Sequence, residues 1–192
     1  MSANRLSLKD LSRAGHVTRW HTVRTVRQQT LAEHLYLVTV VAQAMLEKIS
    51  SASPSNSDRW KLASWTLRHD SPELVLGDIP TPMKHLIRTY AERDVISDIE
   101  ADICADFQRA KDRIESTYLA RVAKLADLAD AISFIAAEGT NDHAQVIEQK
   151  TRTLFNKQLA AAKREYPDYL WSGADQVLQE LLHGEDAQIS YE

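Results

Sequence analysis

A chain of 192 residues with 44% hydrophobic and 26% charged content is long enough to bury an ordinary core without disulfides, and its single cysteine, Cys104, cannot make an internal one. A net charge of -4 does not favour a nucleic-acid coat or an anionic membrane surface, so an anionic ligand must be met by a local basic cluster. Only 5 glycines and 5 prolines argue against a loop-rich β fold and for helices.

The opening run MSANRLSLKDLSRAG contains no apolar stretch resembling a signal peptide, and no segment approaches the length of a membrane span. With the lone cysteine, this gives the expectation of a cytoplasmic protein. A short helix is expected over Leu6 to Arg13, ending near Gly15, followed by an Arg-rich polar loop over 15–29. Thr30-Leu31-Ala32-Glu33 has the form of a capping box, and Leu31, Leu35, Val38, Ala42, Met45 and Leu46 continue it as a helical apolar stripe to about Ser50. Residues 51–57 read as a linker. A helix over Asp58 to Asp70 follows, then a fresh helix start at Ser71-Pro72-Glu73, with Ser as cap and Pro in the first position. Two prolines within 77–82 require a loop. Helices are expected near 82–92, 94–113, 117–138, 142–165 and 173–183, with no strand pattern of convincing length. The expectation is an all-α, single-domain bundle of about seven to eight helices covering 1–192.

The chemistry concentrates in the adjacent pair His69-Asp70, with His34 upstream and Asp127 downstream. Two imidazoles and two carboxylates from three apolar-patterned segments suit a divalent metal. Asp127 lies in VAKLADLADAISFI, where a carboxylate needs a partner to offset burial. From the residues alone the alternatives stay open: Asp127 could pair with Lys124 or Arg121 along its own helix, and Asp130, one turn on, could take the ligand's place.

Three stretches, RWHTVRTVRQQTLAEH, HDSPELVLGDIPTPMKH and KLAD, make the chain resemble the HD-domain phosphohydrolase superfamily. Within it, they resemble the bacterial 5′-deoxynucleotidases and their phage-encoded relatives, which include the dATP triphosphohydrolases. The motif residues are His69, Asp70, Glu73, Asp78, Pro80, Thr81, Pro82 and Lys84, and the likeness spans about residues 10–138. It implies that His34, His69, Asp70 and Asp127 hold the metal. Asp127 is preferred to Asp130 because Ala126 precedes it directly and Lys124 stands three before. The family's position for Asp130 is not an invariant acid, and its carboxylate reads either as a partner of a ligand or as a helix-surface charge.

The expected cofactor is a divalent transition metal, Co, Mn, Fe or Zn, with Mg disfavoured by the histidines. Glu73 is the candidate general acid/base and Asp78 the second; the plainer alternative is that Glu73 merely complements a helix start. Arg19, Arg24, Lys84 and Lys124 are candidate phosphate-holding groups, while Arg27 and Arg88 suit a solvated face. The resemblance sets Arg19 and Trp20 against the sugar, with the indole filling the space that a ribose 2′-hydroxyl would need. Thr22 and the Ile79–Pro82 loop, Pro82 included, then border the base.

The expected function is a metal-dependent phosphohydrolase of 2′-deoxynucleotides. The wording HTVRTVRQQTLAE leans toward the phage type, converting dATP to deoxyadenosine and triphosphate. The alternatives are a 5′-deoxynucleotidase acting on monophosphates and a regulatory module that only binds nucleotide. A cyclic-dinucleotide phosphodiesterase ranks last, because the histidines for a second metal are not in place. The expected partner is a small deoxynucleotide, with neither nucleic-acid polymer nor membrane. By resemblance, the chain forms a homo-oligomer, a dimer or hexamer. Val95, Ile99, Ile103 and Phe107, with Phe155 and Leu159, are faces for either core or interface.

Overall fold

The computed structural model describes residues 6–185, and among these it contains ten α-helices and one 3-10 turn, with no named strand. They are α1 (Leu8–Leu11), the 3-10 turn Ser12–Gly15, α2 (Leu31–Ile49), α3 (Asn56–Thr66), α4 (Glu73–Leu76), α5 (Thr81–Tyr90), α6 (Val95–Ile103), α7 (Ala105–Asp112), α8 (Tyr118–Glu138), α9 (Asp142–Glu165) and α10 (Ser172–His183). No described helix is long and apolar enough to cross a membrane.

The centre of the structure is α8, which packs against α2, α9, α10 and α3. Its start is fixed by the Thr117 hydroxyl, which accepts from the Leu119 amide. Its residues are buried around most of the circumference, and Ala123, Ala126 and Ala129 let the neighbours approach closely. The capping box expected at the start of α2 is formed: Thr30 Oγ1 accepts from Glu33 N at 3.2 Å, and Glu33 Oε2 accepts from Thr30 N at 2.7 Å. The buried stripe of α2 starts at Leu31, includes His34, and runs through Val38, Ala42 and Met45 to Ile49.

Three boundaries differ from the sequence reading. The helix expected over Asp58 to Asp70 stops at Thr66, so His69 and Asp70 lie on a series of turns, and Pro72 rather than Ser71 occupies the cap position of α4. The helix expected over 94–113 is two helices. Cys104 breaks it in an extended conformation, φ -141° and ψ 94°, while its Sγ accepts from Phe107 N. No proline or glycine marks that break; the turn carries Phe107 into contact with Trp65, ring centroids 5.2 Å apart. The first expected helix is a single turn continued by the 3-10 segment.

The Arg-rich loop over 16–30 folds back on itself and is pinned at two places. Near α2, Arg19 N donates to Gln29 O and Leu31 N to Val17 O; near the end of α8, Val26 N donates to Glu138 O and Thr140 N to Arg24 O. The loop thus lies against both helices that carry the candidate ligands.

At the other end of α2, α10 docks backbone to backbone. A methyl group on Gly173 would come within 2.5 Å of the Lys48 carbonyl oxygen. Replacing a helical glycine by alanine ordinarily stabilises a helix by about 1 kcal/mol. Here the contact overrides propensity, and we expect Gly173→Ala to cost a net ~1–3 kcal/mol through overpacking, read as a lowered urea midpoint at unchanged slope.

Candidate metal centre

Each candidate ligand is positioned for a local reason. His34 occupies a core position on α2 and is fully buried. His69 follows α3, where the turns aim its ring back: His69 Nδ1 donates to the Thr66 carbonyl at 2.9 Å, and Trp65 flanks the ring at 6.1 Å. Asp70 is gripped by Arg19, whose Nη1 lies 2.6 Å from Asp70 Oδ2. Asp127 projects from α8 and is held by Lys124, Nζ to Oδ2 at 2.6 Å.

These four groups meet. His34 Nε2 is 3.2 Å from His69 Nε2, 3.2 Å from Asp70 Oδ2 and 3.7 Å from Asp127 Oδ1; His69 Nε2 is 3.6 Å from Asp70 Oδ2. The ligand atoms of His34, His69 and Asp70 all lie within 4.8 Å of one another, a group able to hold an ion, and Asp127 Oδ1 stands at its edge, 3.7 Å from His34. Metal–ligand bonds of about 2.0–2.2 Å in a tetrahedral shell place neighbouring donors roughly 3.3–3.6 Å apart, and the separations among His34, His69 and Asp70, 3.2 to 3.6 Å, are close to that.

The protonation pattern supplies the stronger argument. His69 Nδ1 must carry hydrogen to meet the Thr66 carbonyl. His34 Nδ1 lies 2.6 Å from Asp130 Oδ2, whose two oxygens also accept from the Gln29 amide, so this nitrogen donates as well. Were both rings neutral, their Nε2 lone pairs would oppose each other across 3.2 Å, so the contact needs a proton or a cation between them. Burial opposes charge on His34, but the hydrogen bonds with Asp130 and Asp70 outweigh it and raise the imidazole to about 9. Burial holds His69 below the ordinary histidine value. Asp70 and Asp127 resist burial and stay well below the usual carboxylate range: His69, His34 and Arg19 stabilise the first, and Lys124 with the two imidazoles the second. The pocket is thus built around positive charge and has carboxylates ready to bind it.

Glu73 lies beside this cluster at the start of α4 and is buried. Its Oε1 accepts from Lys84 Nζ at 3.2 Å, and its Oε2 stands 3.6 Å from Arg19 Nη1. Burial, then the charge of Asp70, raise it to about 8 against the pull of Arg19 and Lys84. Glu73 Oε2 and Arg19 Nε are buried without a hydrogen-bond partner, two polar atoms that a phosphorylated ligand's oxygens or a water could satisfy. Asp78, half-buried on the loop after Gly77, adds negative charge facing Arg19 and Glu73.

The remaining expected residues divide. Lys84 and Lys124 reach the cluster through Glu73 and Asp127. Trp20 is half-buried, stacked on Phe134 at 5.8 Å, with its indole N–H given to Gln29 Oε1. Thr22, Arg24 and Pro82 are exposed, and among the described residues none makes a side-chain hydrogen bond or ion pair with His34, His69, Asp70 or Asp127. Arg27 pairs with Glu33 and Glu138, and Arg88 with Asp94, as a solvated face would have it. Arg121 pairs with Glu165 instead of Asp127. Asp130 is fully buried against His34, which removes the helix-surface alternative. Gln29, Phe134 and the Thr66 carbonyl are the participants that residue types did not announce. A cavity of about 290 Å³ opens behind Gln29 and Asp130, but Arg27, its basic lining group, is already paired, and none of His34, His69 and Asp70 borders it.

Comparison with known proteins follows the same lines. A dATP triphosphohydrolase of Acinetobacter phage SH-Ab 15497 is 28% identical, over 93% of this chain and 92% of its own. A dATP triphosphohydrolase of Salmonella phage PMBT28 is 26% identical, over 84% and 77%. The 5′-deoxynucleotidase YfbR of Photorhabdus temperata is 29% identical, over 56% and 59%. Among solved structures, the Cyanophage S-2L HD phosphohydrolase DatZ, bound to dA and one catalytic Zn2+ ion, superimposes with a TM-score of 0.70 at 21% identity, over 93% of this chain and 95% of its own, a likeness of fold. The family model described as 5′-deoxynucleotidase YfbR-like matches residues 8–165, and the chain belongs to that family.

Proposed function

We propose that this chain is a metal-dependent phosphohydrolase of 2′-deoxynucleotides whose ion is held by His34, His69, Asp70 and Asp127. The observation that carries the reading is the pair of opposed Nε2 atoms 3.2 Å apart with carboxylates on both sides. Two imidazoles among the donors suit Zn, Co or Mn better than Mg. Among substrates, a deoxynucleoside triphosphate is favoured, with dATP yielding deoxyadenosine and triphosphate. Support comes from the dATP triphosphohydrolase of Acinetobacter phage SH-Ab 15497, which aligns over 93% of this chain, whereas 5′-deoxynucleotidases align over 56% (Photorhabdus temperata) to 77% (Yersinia pestis). The monophosphatase is the second reading.

A bound ion supplies an acidified water and offsets charge growing on the phosphoryl oxygens. The chain's own residues supply the rest. In the hydrolysis, water adds to the α-phosphorus, the bond to the 5′ oxygen breaks, and that oxygen takes up a proton. Glu73, protonated below about 8, is the group to deliver it, and Asp78 lies near enough to influence it. Arg19, Lys84 and Lys124 supply positive charge for the phosphates. Arg24 on the exposed outer loop and Pro82 at the start of α5 suit contacts made only when a nucleotide is present, as does Thr22 for the base. Trp20 closes the sugar side against a 2′-hydroxyl. Self-association is supported by Met83, Leu86 and Tyr90 on α5 and Ile99 on α6, all exposed, whereas Phe107, Phe155 and Leu159 belong to the core.

Incubation of zinc- or cobalt-loaded protein with dATP and with dAMP tests the reading; we expect triphosphate from the first, and a protein that releases neither triphosphate nor phosphate is not this enzyme. Glu73 gives a pH signature. Its acid form predominates below about 8, so kcat/KM should fall about tenfold per pH unit above that value. Glu73→Gln should lose ~10²–10⁴-fold in kcat and, with it, that alkaline limb. Equilibrium dialysis should give one zinc per wild-type chain. His69→Ala and Asp127→Asn should each weaken zinc by at least about tenfold, while Arg121→Ala on the same helix leaves affinity unchanged.

A further inference from the structure

Gln29 belongs to a polar loop by sequence, yet it is 3% exposed and uses every polar atom of its side chain. Its Oε1 accepts the Trp20 indole N–H at 2.9 Å. Its Nε2 donates to both oxygens of Asp130, at 2.9 and 3.0 Å, and Asp130 Oδ2 accepts from His34 Nδ1 at 2.6 Å. The direction of this chain is forced from one end. An indole can only donate, so the amide oxygen must face Trp20 and the NH2 must face Asp130. Asp130 then accepts from both sides, which commits His34 Nδ1–H and leaves Nε2 for the ion. Trp20 is also the only described non-glycine residue with positive φ, 70°, a conformation unfavourable for a residue with a Cβ. Stacking on Phe134 and the bond to Gln29 hold it there.

We propose that Gln29 is a positioning residue that couples Trp20 to His34 through Asp130, so that the Trp20 indole and the metal-holding imidazole respond to one another. The proposal rests on reading the four-residue cluster as a metal centre. A cation drawing on His34 Nε2 polarises Nδ1–H toward Asp130, and hydrogen bonds in series reinforce one another. The amide passes that change to the indole, and by linkage the position of Trp20 feeds back on ion affinity to the same extent. Arg19, next to Trp20 and bonded to Asp70, offers a second route, so the test must isolate Gln29.

Protein labelled with 5-fluorotryptophan has four fluorine reporters, Trp20, Trp60, Trp65 and Trp171, assigned by single Trp→Phe replacements. Trp65 lies against His69 and reports ion binding directly, while exposed Trp60 and core Trp171 report the fold. Zinc added to chelator-treated wild type should move the Trp65 and Trp20 resonances. In Gln29→Met, which keeps the length and removes both polar ends, Trp65 should still move while the Trp20 response drops by more than half. Zinc affinity, measured by chelator competition, should fall about three- to tenfold, less than the ~10–100-fold typical of a ligand's direct partner. A full Trp20 response in Gln29→Met, or no Trp20 response in wild type while Trp65 moves, overturns the coupling. Silence of both in wild type means that no zinc binds, which overturns the metal reading and the coupling with it. If Gln29→Met fails to fold, Trp20→Phe deletes only the indole end of the chain; it should weaken zinc about threefold, and unchanged affinity overturns the proposal.

Discussion

Two buried imidazoles that face each other through Nε2, a contact that a proton or a cation must bridge, form the constraint on which the rest of the site depends. Each ring has its other nitrogen committed, His34 to Asp130 and His69 to the Thr66 carbonyl, so neither can rotate away without leaving a buried donor unpaired. The carboxylates of Asp70 and Asp127 complete a pocket that favours a positive charge. Uncompensated, such an assembly would be strongly unfavourable in a core. Lys124 binds Asp127 Oδ2 and leaves Oδ1 toward His34, whereas Arg19 and the two histidines converge on one oxygen of Asp70, Oδ2.

The same arrangement separates the roles of three neighbouring acids by environment. Asp70, hydrogen-bonded to Arg19 and beside two histidines, is held ionised. Glu73, three residues on, is buried next to that ionised carboxylate and is raised to about 8. Asp127 is kept ionised by a lysine one turn away. One group suited to donating a proton thus sits among groups suited to binding a cation, the division of labour that phosphate-ester hydrolysis requires.

The fold serves this by placing both ends of the Arg-rich loop on the two helices that frame the cluster. Backbone bonds to Gln29 and Val17 at one end and Glu138 and Arg24 at the other leave Arg19 and Trp20 little freedom. The centre is therefore carried by the packed α2–α8 pair on one side and by short, hydrogen-bonded turns on the other. The exposed residues Thr22, Arg24 and Pro82 lie on the rim, where a ligand can engage them without disturbing the buried groups.

How much could be read from the sequence differs from residue to residue. The Thr30–Glu33 box and the apolar stripe behind it fix the start of α2 and the burial of His34, because capping and helical period are local properties. His69, Asp70, Glu73 and Asp78 stand close together in the chain, so their grouping is legible as a motif. The break at Cys104 is not: no residue there forbids a helix, and the contact of Phe107 with Trp65 that accompanies the break joins distant parts of the chain. Gln29 could not be found either, since a glutamine in a polar loop looks solvent-bound until the loop folds back 101 residues away onto Asp130. Asp130 was ambiguous for the same reason, because helical spacing alone allows it to face solvent or core. The sequence by itself thus determined the helical class, the motif and the candidate ligands, all set by short-range pattern. Which nitrogen of each histidine faces the cluster, which acid is raised by burial and what holds Trp20 emerge only on folding, because hydrogen-bond direction and desolvation depend on groups brought together from distant parts of the chain.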